Sequence, residues 1–278
     1  TAGAGQEEIP RKIQALGGEI NAFTSLDHTV FDLKVPSARL RPALALLRDL
    51  VLAVAFEPDE IAREKEVVLK EMNMNRDDPA RRCSELFLAT AFQVHPYRFP
   101  VIGYPRILED LSVEDVVSYY RTWYVPNNMV LALSGDLSAA EAFALAEETF
   151  RNDPRKPYPL ASLPEEPPQL VAREAEETMA VASARLQVGF HTVSLYHPDL
   201  YPLDVLAILL GQGRSSILWQ ELREKRELVH AISASSYTPS YPGVFVVSVE
   251  LDDSDLPAAR AAIGEILGRV RAGELLTA

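Results

Sequence analysis

A single cysteine, Cys83, stands in 278 residues. Its isolation excludes an intrachain disulfide and any zinc cluster built on several thiolates, so stability does not depend on an oxidising compartment. That fits a cytoplasmic protein, with the periplasm as the alternative. Positive charge is also short. Against 40 Asp and Glu there are 27 Lys and Arg, giving a net charge of -13 and a sequence pI near 4.9. No basic cluster reverses this balance locally, and a nucleic acid partner is not expected because its phosphates would be repelled. Long apolar runs are missing too. The richest, at 43–56 and 203–210, are broken by Arg48, Asp49 and Asp204 and fall short of a membrane span. The opening Thr-Ala-Gly-Ala-Gly-Gln-Glu-Glu has neither the basic region nor the apolar stretch of a targeting segment, and no initiator Met. Upstream sequence is therefore expected.

What remains is ordinary globular composition, 47% hydrophobic and 24% charged, with length for two cores. Ile9, Ile13 and Leu16 mark a short helix stopped by Gly17 and Gly18. Two β-branched or aromatic runs, 19–25 and 29–35, flank a polar turn and predict a hairpin. Helices are expected at 37–54, from Pro58, at 80–92, 113–123 and 139–150, with a strand at 129–134. Six prolines between 153 and 168 prevent regular structure, so that stretch is read as a linker between a domain at 1–152 and another at 169–278. The second half reads as a strand at 184–191, helices at 200–210 and 216–226, a strand pair at 229–237 and 244–251, and a helix from Leu256.

An offset of 216 residues overlays the halves. Val30, Leu33 and Val35 fall on Val246, Val249 and Leu251, and Leu40, Ala43, Ala45, Leu47 and Leu50 fall on Leu256, Ala259, Ala261, Ile263 and Ile266. The second half has a strand and a helix ahead of the shared unit. Counterparts in the first half would lie before Thr1, and the second repeat is expected to be cut short at its end.

On a helical wheel, Ile61, Val67, Val68 and Met72 form an apolar arc, and Glu64 and Glu71, two turns apart, fall inside it. Carboxylates entering a core need a cation, a hydrogen-bond partner or a raised pKa. A metal ligand with a supporting acid satisfies that requirement; so does a buried ion pair or an interdomain contact.

The blocks at 17–25 (Gly-Gly-Glu-Ile-Asn-Ala-Phe-Thr-Ser), 27–31 (Asp-His-Thr-Val-Phe) and 64–72 (Glu-Lys-Glu-Val-Val-Leu-Lys-Glu-Met) resemble the insulinase/pitrilysin family of zinc peptidases, which includes mitochondrial processing peptidase. The likeness continues through His-Pro-Tyr at 95–97, Gly-Gln-Gly-Arg-Ser-Ser at 211–216 and Gln-Glu-Leu-Arg-Glu-Lys-Arg at 220–226. It implies an α+β fold of two similar domains, each a mainly antiparallel sheet with helices on one face and each incomplete in this chain. It further implies a zinc metalloendopeptidase that hydrolyses peptides or unfolded segments through a metal-activated water. The family's ligands are an inverted His-x-x-Glu-His motif, which also supplies the general base, and a later glutamate. By resemblance that glutamate is Glu71, and Glu64 orients a ligating histidine. His28, His95, His191, His197 and His230 never form the motif's spacing, so the motif is expected upstream and the chain alone is expected to be inactive. Asn21, Ala22, Phe23 and Thr24 match the edge strand against which substrate lies, although a plain buried hairpin would explain the same pattern. Arg223 and His230 match an arginine and a tyrosine that reach the substrate near the metal. The phenol is replaced by an imidazole, and Glu227 stands where glycine is common. The resemblance also admits a homodimer or a heterodimer with a same-fold subunit, and a non-catalytic scaffold as the rival role.

Overall fold

The computed structural model describes residues 8–275. The polar opening at 1–7, expected to hold no targeting signal, lies outside them. The chain forms two compact units, one of residues 1–70 and 101–162, the other of 71–100 and 163–278.

In the first unit α1 (Glu8–Ala15) ends before Gly17, whose φ of 75° turns the chain into the hairpin β1 (Glu19–Thr24) and β2 (Thr29–Lys34). The strands pair antiparallel in the register Glu19↔Lys34 to Thr24↔Thr29. A 3-10 turn at Ser37–Arg39 leads into α2 (Leu40–Leu52), which packs against α1 through buried Ile13, Ala43 and Leu44. Next comes α3 (Pro58–Asp77), which continues into the second unit. In the first unit α5 (Pro105–Asp110), α6 (Val113–Trp123) and α7 (Ala139–Phe150) complete the helices. Reciprocal caps start α6 at Ser112/Asp115 and α7 at Ser138/Glu141, a pattern that fixes a helix start locally.

Residues 129–134 depart from expectation. They form no assigned strand, and Val130 is 96% exposed. Met129 has extended φ and ψ, but a strand needs a hydrogen-bonded neighbour and none of the described strands pairs there. The proline-rich segment is irregular, as its prolines require. Its start is held in this unit by Arg48, which donates to both oxygens of Asp153 at 2.9 and 2.5 Å, and by reciprocal bonds between the Asn127 amide and the Lys156 backbone.

The second unit is built on a sheet ordered β3 (Ala184–His191), β5 (Val244–Leu251), β4 (Ala231–Tyr237), all antiparallel. Central β5 buries Val247, Val249 and Leu251 against Ala259, Ile263 and Ile266 of α9 (Leu256–Arg271). Apolar nearly throughout, α8 (Leu200–Gly211) packs on β4, with Gly211 so close that a Cβ there would stand 2.0 Å from the Ala234 nitrogen. Residues 71–100 belong here because α4 (Pro79–Ala91) packs on β3. Gly189 makes room for the Phe87 ring, Gln187 Nε2 donates to Ser84 Oγ at 3.1 Å, and His191 Nε2 bonds the Ala91 carbonyl at 2.8 Å. The helix expected at 216–226 is instead a π-helix over Trp219–Lys225.

The repeat is visible in the elements themselves. Shifted by 216, β2 falls inside β5, the turn at Ser37–Arg39 falls on that at Asp253–Asp255, and α2 falls inside α9. Each half therefore shows hairpin, 3-10 turn and helix in mixed α+β architecture.

Candidate functional site

Pro58 suits the first turn of α3 and Asp59 and Glu60 complement its dipole, so this stretch is helical for local reasons. Lys65 then fixes the helix in the first unit: its Nζ donates to the Glu109 and Leu111 carbonyls, each at 2.9 Å, at the C-terminal end of α5. Glu64 is half-buried, and Glu71, two turns further along the same side, is exposed. This corrects the wheel. Among the described residues Met72 is buried, but Val67 of the same arc is 53% exposed. The desolvation cost from which a cation was argued therefore does not fall on Glu71. No group of three or more His, Cys, Asp or Glu side chains comes close enough to hold a metal ion among the described residues. A catalytic zinc takes three protein ligands, so these residues do not by themselves make a zinc site.

Asn21, Ala22, Phe23 and Thr24 are all exposed on β1, with Phe23 at 51%. The plain buried hairpin weighed from the pattern is thus not what forms. Among the described residues β1 pairs with β2 alone, leaving its other edge as a row of backbone donors and acceptors.

Arg223 and His230 come together in the second unit. Arg223, in the π-helix, donates through Nη1 to the Val229 carbonyl at 3.0 Å, one residue before His230. The turn between them closes at Glu227, whose φ of 52° lies in the left-handed region, and the Leu228 N–H donates to the Leu222 carbonyl at 2.9 Å. That conformation explains why glycine suits the position, since a side chain there is strained. His230 is exposed; its backbone N–H donates to the Glu250 carbonyl at 2.7 Å, and its Nε2 stands 3.0 Å from Asp252 Oδ1. Sequence reading missed Asp252, because only the pairing of β4 with β5 brings it there.

The His-Pro-Tyr block is packed inside the second unit. His95 and Tyr97 are buried, His95 Nδ1 accepts from the Tyr97 backbone N–H at 3.3 Å, and Tyr97 Oη accepts from the Tyr241 N–H at 3.2 Å. Beside it lies Glu166, also unmarked by the sequence and only 8% exposed at its side chain. Its carboxylate accepts three consecutive backbone N–H groups, Gln93 and Val94 at 2.8 Å and His95 at 3.0 Å. Burial is the largest single influence and pushes its pKa up, but those three bonds with nearby Arg173 outweigh it and the pKa is lowered. Burial raises the pKa of the Cys83 thiol, an environment that keeps it unreactive.

Mixed helices and antiparallel sheet, repeated twice, define a peptidase-like fold shared with solved structures. A protease from Helicobacter pylori superposes with a TM-score of 0.91 at 26% identity, covering 96% of this chain and 66% of that one. Pitrilysin shares the fold at a TM-score of 0.70 and 23% identity, with 95% and 30% covered. An uncharacterized zinc protease of Mycobacterium tuberculosis is 32% identical over 233 residues, 81% of this chain and 52% of the relative. Zinc protease PqqE of Helicobacter pylori is 29% identical, over 80% of this chain and 51% of the relative. Residues 1–104 match the family described as insulinase (peptidase family M16), and residues 110–277 match the peptidase M16 inactive domain. The chain belongs to the insulinase (M16) peptidase family. It spans about half the length of the curated relatives it matches. No described helix is long and apolar enough to cross a membrane.

Proposed function

We propose that this chain is the substrate-edge and third-ligand part of a zinc metalloendopeptidase acting on peptides or unfolded segments. The observation that carries the reading is the exposed edge of β1 at Asn21, Ala22, Phe23 and Thr24, which can accept an extended peptide by backbone pairing with loose sequence preference. Family membership supports the chemistry. Glu71 would supply one zinc ligand and Glu64 would orient a neighbouring imidazole, while Arg223 and His230 would contact the substrate. The division into 1–152, a linker at 153–168 and 169–278, the cytoplasmic or periplasmic location and pairing with a same-fold subunit belong to the same proposal. The described residues hold fewer than the three protein ligands of a catalytic zinc, so the other ligands would come from outside them.

Zinc analysis beside a fluorogenic peptide assay tests this reading. The 278-residue chain is expected not to cleave. A longer chain bearing His-x-x-Glu-His should bind about one zinc and cleave, and Glu71→Gln in it should lower zinc content and cleavage together. Arg223→Ala should impair turnover or peptide binding while zinc stays. Cleavage by the chain alone, or unchanged zinc after Glu71→Gln, would refute the assignment.

A second reading, a non-catalytic subunit of the same fold, is favoured by imidazole at His230 where the family has a phenol. In that case the longer chain would bind peptide without cleaving it.

A further inference from the structure

The replacement of a phenol by His230 raises the question of what that ring presents to a ligand. Both ends of the contact with Asp252 sit on fixed backbone. On one side, the Arg223 guanidinium holds the Val229 carbonyl at 3.0 Å and the Glu250 carbonyl holds the His230 N–H at 2.7 Å. On the other, Asp252 follows β5 directly, and its carbonyl accepts the Asp255 N–H at 3.0 Å in the turn that opens α9. The side chains meet at 3.0 Å, His230 Nε2 to Asp252 Oδ1.

A carboxylate only accepts hydrogen bonds, so this contact requires the proton on Nε2. In a neutral imidazole the other nitrogen is then bare. We infer that Asp252 is a positioning residue that fixes neutral His230 as the Nε2–H tautomer, leaving Nδ1 as an acceptor for a backbone N–H of a bound peptide. The consequence reverses the expected chemistry: a phenol donates to a carbonyl oxygen, whereas neutral His230 held in this way takes a proton-bearing nitrogen. The ligand class is therefore an extended peptide whose main-chain amide faces His230, and an ester at that amide removes the donor. The peptide contact rests on the reading of His230 as substrate-facing; the tautomer does not.

The test begins with nitrogen-15 NMR of the histidine side chains in the 278-residue chain, recorded at a pH where the spectrum itself shows neutral imidazole rings. His230, assigned by its loss in His230→Gln, should show a pyrrole-type Nε2 and a pyridine-type Nδ1. In Asp252→Ala the two signals should move toward an average of both tautomers, and Asp252→Glu should restore the original pattern. A pyrrole-type Nδ1, or a pattern unmoved by Asp252→Ala, would overturn the inference. A fluorescein-labelled alanine-rich peptide and its ester-substituted analogue then examine the contact. The ester should bind about fivefold more weakly to the native chain, the loss of one ordinary hydrogen bond, and no more weakly to His230→Ala. Equal binding of peptide and ester to the native chain, with the tautomer as stated, would remove His230 from the substrate site and leave Asp252's control of the ring standing.

Discussion

The two halves carry the same hairpin, 3-10 turn and helix, yet one copy is a core and the other a surface. In the second unit β5 is flanked by β3 and β4 and alternates buried positions along its length. Its counterpart β2 in the first unit has no buried residue, and no third strand joins the hairpin among the described residues. The same local sequence logic therefore produces different energetics, because burial depends on what is laid over the module. Strand β1, with five of its six residues exposed, is the edge on which the proposed peptide contact rests.

The largest effect should come from the helix that follows each hairpin. Ile263→Ala in α9 removes a fully buried side chain and should cost about 2–5 kcal/mol. Its counterpart Leu47→Ala in α2, where the side chain is half-buried, should cost clearly less. Urea denaturation followed separately through Trp219 and Trp123, one in each unit, measures both; equal losses would break the comparison. Gly211→Ala should cost about 1–3 kcal/mol, since its Cβ would force α8 off the Ala234 backbone.

Glu166 tests how residues 71–100 are held in the second unit. Glu166→Ala leaves three backbone N–H groups without their acceptor and should cost about 1–3 kcal/mol in the same denaturation assay. The sign with pH follows from the lowered pKa. The stability it contributes is present above the ordinary glutamate value and is lost as pH falls from there through the folded value. Native protein should therefore lose more stability than Glu166→Ala across that acidic range.

The smallest effects should have opposite signs at matching positions. Gly17 and Glu227 each lie two residues past a helix end with positive φ, at 75° and 52°. Glu227→Gly should stabilise by about 1 kcal/mol and Gly17→Ala should destabilise by about the same. Thermal melts resolve both, and equal signs would show that the two turns are not equivalent.

Much of the architecture was legible in the sequence because its signals are local. Apolar periods, the Gly17-Gly18 stop, the Pro58 helix start and the polar turn at 25–28 act within a few residues, and the 216-residue repeat sets the same elements in both halves. Glu71 and the β1 edge were named from a resemblance and remain proposals. Tertiary structure alone decided what depends on distant partners. It left 129–134 without a strand partner among the described residues, packed α4 on β3 so that residues 71–100 group with the second unit, and brought Glu166 to three amides over 70 residues away. It also set Asp252 against His230 across the β4–β5 ladder. The physical reason is that strand pairing and buried hydrogen bonds are fixed by which segments meet when the chain closes on itself, and no local pattern encodes that meeting.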